Sequence, residues 1–135
     1  MSENLGLRVL ASSTYEDITL QLVKDNSELY YVKFMYMIEA FNVPDLNEIL
    51  NLRDDSTVPP NCFILFRKGI QSCVSNIGLR IRRGALSKHI SSIWKDLRKS
   101  EPNLVDLFKE TANTAARIFN DRKLRIRIFD SSSME

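Results

Sequence analysis

The strongest constraint in this 135-residue chain is a run of three amphipathic segments in its second half. The first opens at Pro59-Pro60-Asn61, where proline suits a helix's initial turn, and continues to about Asn76. Phe63, Phe66, Ile70 and Val74 recur there every three to four residues, making one apolar face. Gly78 stands where a capping glycine belongs. The second segment spans about Ala85 to Arg98, with Leu86, Ile90, Ile93, Trp94 and Leu97 in helical register. The third follows Ser100-Glu101-Pro102 and carries Leu104, Leu107, Phe108, Thr111, Ala112, Ala115 and Phe119 to about Arg122. No Gly or Pro interrupts the last two. Three such helices with short connections predict an all-α fold for residues 58–127.

Residues 1–57 read as an N-terminal extension of mixed pattern. Ile18, Leu20 and Leu22 alternate with polar neighbours, a strand signal. The run LYYVKFMYMIEAF (29–41) is dense in aromatic and branched residues and fits either strand or helix. Pro44, followed by Asp45 and Glu48 with Leu46, Ile49 and Leu50 on one face, predicts a short helix. Residues 128–135 form a small polar tail.

Charge divides the chain in the same place. Residues 1–57 carry four Lys/Arg against ten Asp/Glu, a net −6, whereas residues 58–127 carry fifteen against five, a net +10. A basic block behind an acidic leader points to a polyanionic partner. Other classes are disfavoured. Nothing approaches the roughly 18–20 apolar residues of a membrane span. The single histidine and the lack of a CxxC spacing leave no metal site, and no nucleophile–base arrangement or phosphate-cradling glycine loop suggests an enzyme or a cofactor. Cys62 and Cys73, on one predicted helix, would stand roughly 16 Å apart along its axis. That exceeds disulfide reach and suits reduced thiols in a nuclear or cytosolic compartment.

Pro59-Pro60-Asn61-Cys62-Phe63-Ile64-Leu65-Phe66-Arg67 resembles the opening of HMG-box proteins, particularly the fungal mating-type version. Leu86-Ser87-Lys88-His89-Ile90-Ser91-Ser92-Ile93-Trp94-Lys95 resembles the family's second-helix motif, and Phe108 with Ala112 and Ala115 its third-helix pattern. The resemblance covers residues 58–127. It implies an L-shaped, three-helix box that bends DNA from the minor groove: a monomeric, sequence-preferring transcription regulator in the nucleus. Ile64 occupies the wedge position that unstacks a base step, and Asn61 the position that reads base edges; capping the helix is its alternative role. Phe63 falls beside the wedge, with core packing as its alternative. Arg67, Lys68, Arg82, Arg83 and Lys88 fall where phosphates are gripped. Leu86 and Ser87 match second-helix contacts, and Arg122, Lys123 and Arg125 match a basic extension, although their alternation with Leu124 and Ile126 also suits an edge strand. Trp94 is expected in the core with Phe66, Ile90 and Phe108, and His89 on the solvent face.

The pattern departs from the family at Arg83-Gly84-Ala85, where a polar DNA-contacting stretch is usual, and at Val58, where a basic residue is usual. These departures keep two other readings open: a protein-interaction module, using residues 1–57, and a non-specific architectural chromatin protein.

Overall fold

The structure, a computed structural model, describes the backbone of residues 6–51 and 61–133 and the side chains of residues 6–49 and 61–121. Four strands come first: β1 (Arg8–Tyr15), β2 (Ile18–Lys24), β3 (Tyr30–Phe34) and β4 (Met37–Phe41). Four helices follow: α1 (Leu46–Asn51), α2 (Cys62–Ile77), α3 (Arg83–Ser100) and α4 (Pro102–Ser133). The all-α expectation is therefore corrected. The strands form one antiparallel sheet in the order β1-β2-β3-β4, and the helices pack on it.

Leu20 and Leu22 of β2 are wholly buried, as their alternation requires. The ambiguous run 29–41 resolves into β3 and β4, which pair from Tyr30↔Phe41 to Phe34↔Met37. Their turn is Met35-Tyr36, with Met35 at φ 55°. Glu16 (φ 52°) and Asp17 (φ 66°) make the β1–β2 turn, two successive left-handed residues of the kind that suits the twist of a tight hairpin. At the other end Asp25 accepts hydrogen bonds from the Ser27 and Leu29 amides and from the Tyr31 hydroxyl, which order the β2–β3 connection.

The helices follow the periodicity closely. Asn61 caps α2 by accepting a 2.9 Å hydrogen bond from the Ile64 amide. Gly78 ends α2 at φ 84°, with the Gly78 and Leu79 amides returning to the Ser75 and Val74 carbonyls. α3 begins two residues earlier than expected, and α4 runs on through Ser133. Arg122, Lys123 and Arg125 thus lie in a helix, not an edge strand, and their side chains lie outside the described residues, as do Val58, Pro59 and Pro60 entirely. Leu107, counted with the apolar face, is 46% exposed.

Sheet and helices share one core. Leu20, Leu22, Val32 and Phe41 meet Leu65, Phe66, Ile70, Ile90, Ile93, Trp94, Leu97 and Phe108. Phe41 lies 5.6 Å from Phe66 and 5.8 Å from Phe108 between ring centroids, and Phe66 lies 4.8 Å from Trp94. A side chain of this kind contributes about 1.5–3 kcal/mol on burial. At the α3–α4 junction the nearly buried Glu101 accepts from the Lys24 ammonium at 2.7 Å and the Tyr30 hydroxyl at 3.0 Å, tying β2 and β3 to the helices. Burial pushes the Glu101 carboxyl up, but these partners outweigh it and leave it below its ordinary range.

Candidate nucleic-acid interface

α2 and α3 lie antiparallel. Phe63, early in α2, meets Trp94, late in α3, at 6.0 Å, while Leu86, early in α3, lines one groove with Gln71 and Val74 of α2. Helical phase assigns the rest. The sheet covers the α2 face that carries Gly69, Cys73 and Asn76: a methyl at Gly69 would sit 2.8 Å from the Phe41 ring, the Cys73 thiol donates to the Ala40 carbonyl, and Asn76 donates to Glu39. Burial, aided by nearby Glu39, pushes the Cys73 thiol up to about 11, so it is un-ionised at neutral pH. Ile64, Gln71 and Ser75 follow on the opposite side, with Arg67 beside them, whereas Lys68 lines a cleft with Gly69, Cys73 and Asn76 against Glu39 and Glu48.

Ile64 is partly exposed and stands outside the core cluster and the side chains packed against it. Arg67 and Lys68 are also partly exposed. Asn61 is exposed and serves as the helix cap, with its amide nitrogen facing away from that bond. Phe63 packs against the core, with its ring at 70° to that of Trp94, and stays partly exposed. Trp94 takes its expected place with Phe66 and Phe108.

On α3, Arg83 is exposed, Ser87 is partly exposed, and Leu86 packs against the core rim. Lys95 and Arg98, both exposed, continue the outward face begun by Lys88. Arg82 and Lys88 are exposed but engaged. Arg82 is ion-paired with Glu16. Lys88 donates to the Tyr15 hydroxyl at 2.8 Å and lies 4.4 Å from that ring's centre. His89 is not on the solvent face. It is wholly buried under β1, with Nδ1 2.9 Å from the Ser13 hydroxyl, and burial holds its imidazole below the ordinary value. Its position is one turn from Ala85 and one from Ile93, a phase that faces β1.

The structure thus brings Asn61, Ile64, Arg67 and Lys68 together along α2, and Arg82, Arg83, Leu86, Ser87 and Lys88 at the start of α3. The two groups are not adjacent: Leu86 lies beside Gln71, about 10 Å of helix beyond Ile64. Sequence reasoning missed Tyr15 and Glu16. An acidic pair between alternating stretches marks a hairpin turn, but nothing local marks where that turn docks. Among the described residues no cluster of His, Cys, Asp and Glu could hold a metal, and no helix is long and apolar enough to cross a membrane. No family model, no curated protein and no solved structure matches the chain.

Proposed function

We propose that this chain binds duplex DNA in the minor groove and bends it, as a sequence-preferring transcription regulator in the manner of the HMG-box proteins its α2 and α3 motifs resemble. The observation that carries this reading is Ile64. It is a branched apolar side chain left outside a well-filled core, on the side of α2 away from the sheet and beside Arg67, with Lys68 one turn on at the rim of the cleft towards β4. An apolar wedge flanked by cations is what unstacking one base step demands: the wedge separates the bases, and the cations hold the phosphates while the duplex bends. Asn61, one turn before it, offers an amide to base edges. The mating-type character and the nuclear setting belong to the same proposal.

The test is a bending assay beside a binding assay across salt concentrations. Ile64→Ala is expected to reduce the bend angle more than the affinity, and affinity is expected to fall steeply with salt. A wild-type protein that binds without bending, or an Ile64→Ala variant that bends DNA equally well, overturns the reading.

A second reading, a protein-interaction module, is favoured by the β3–β4 turn. Met35, Tyr36, Met37 and Ile38 there are 59%, 93%, 43% and 37% exposed, a run of apolar side chains in water. It gains if no binding occurs to A·T-rich duplex or four-way-junction DNA at about 50 mM salt, a concentration at which phosphate contacts are strong.

A further inference from the structure

We infer that the β1–β2 turn sets the strength of the DNA interface proposed above: Glu16 and Tyr15 hold Arg82 and Lys88 in contacts that a phosphate must displace. This rests on the DNA-binding reading and adds to it a built-in competitor.

The turn is placed by register and by its footing on α3. β1 and β2 pair as far as Tyr15↔Ile18, so Glu16 and Asp17 are the two residues at the tip. Both take left-handed φ angles, which non-glycine residues adopt at a cost. Beneath the tip, β1 is anchored on α3 by the buried contact of Ser13 with His89, against whose ring the Tyr15 ring also lies. That footing carries the tip to the N-terminal end of α3. There Glu16 meets Arg82, and Tyr15 meets Lys88 through both its hydroxyl and its ring.

The consequence is electrostatic. Arg82 and Lys88 are two of the cations at the α3 end of the interface. Glu16, paired with the Arg82 guanidinium, therefore occupies ground a phosphate would take. Asp17, next to it and exposed, adds a second negative charge within a screening length of about 10 Å. The Arg82–Glu16 pair is open to solvent, with 73% and 41% of the two side chains exposed, so it exchanges readily. The turn therefore weakens binding by competition and leaves the site open.

The test uses the full chain with the double variant Glu16→Gln/Asp17→Asn, and with Glu110→Gln as a control that removes an exposed acid on α4. Binding to one A·T-rich duplex is measured from low to high salt. The double variant is expected to bind about three- to tenfold tighter at low salt. Its plot of log affinity against log salt is expected to steepen by about 0.9 for each cation released to a phosphate. Tyr15→Phe, which keeps the ring and loses the hydroxyl, is expected to fall between. Detectable binding by the double variant alone also supports the inference. If wild-type protein binds and bends DNA in an Ile64-dependent way, but the turn variants match it or gain no more than Glu110→Gln, the inference fails and the DNA reading stands. If no protein in the series binds, both fail together.

Discussion

Phe41 of β4 lies directly over Gly69 of α2, so close that a methyl group on Gly69 would stand 2.8 Å from the ring. In the sequence, Gly69 is only a cost: about 1 kcal/mol relative to alanine inside a helix. In the fold it is the notch that admits the sheet. The Phe41 ring is held by Phe66 and Phe108 and has nowhere to swing. Gly69→Ala is therefore expected to destabilise the protein by about 1–2 kcal/mol, overpacking outweighing the gain in helix propensity. Urea denaturation decides the sign; a stabilised variant would mean that β4 can retreat.

The same contact changes what truncation should do. An acidic leader beside a basic block suggests a removable cover, but Phe41 is part of the core. Phe41→Ala is expected to cost about 3–5 kcal/mol, and removal of residues 1–50 to abolish cooperative unfolding instead of freeing a folded helical half. A sharp melting transition for residues 51–135 alone would contradict this.

Acidification should loosen the β1–α3 packing first. Burial holds His89 below its ordinary value of 6.5, so in mild acid the unfolded chain takes up a proton that the folded chain resists. Stability from this group is complete above pH 6.5 and is lost as pH falls from there through the lowered folded value. Glu101, held below its ordinary 4.5, adds a separate loss only below that pH. The melting temperature is expected to decline from pH 7 towards pH 5.5, and His89→Gln to flatten that decline while leaving the steeper fall in stronger acid.

At Asn61 the observed cap and the proposed DNA contact can be pulled apart. Asn61→Ala removes the cap on the Ile64 amide and is expected to cost about 1 kcal/mol. Asn61→Asp caps equally well but places a negative charge where bases and phosphates would approach. It is expected to keep the wild-type melting temperature and to lose DNA affinity. An aspartate variant with undiminished DNA affinity would reduce Asn61 to a cap.

The helices were legible from apolar residues at helical spacing, with Gly78 closing α2 and Pro102 heading α4; α3 has no capping side chain and rested on its spacing alone. β2 was legible from Leu20 and Leu22. β3 and β4 were not, because their turn is Met35-Tyr36 and lacks the Gly, Asn or Pro that marks a reversal, leaving one unbroken apolar run. The all-α expectation failed at that point. His89 failed for a related reason. Its phase with Ala85 and Ile93 faces something, and with no sheet expected that face read as solvent. On α2 the outward placement of Ile64 and Arg67 follows from helical phase alone. The engagement of Arg82 by Glu16 joins residues 66 positions apart, and periodicity carries no information at that range.

The order of the elements along the chain also bears on biosynthesis. Leu20, Leu22, Val32 and Phe41 leave the ribosome ahead of every helical residue that covers them, and the last of the aromatic partners, Phe108, is made 67 residues after Phe41. Throughout that interval the nascent meander presents a bare apolar surface with unpaired edges, a template for association with other chains. Chaperone engagement should accordingly concentrate on ribosome-bound chains shorter than Phe108, and slowed translation through α2 and α3 should lengthen the period of risk.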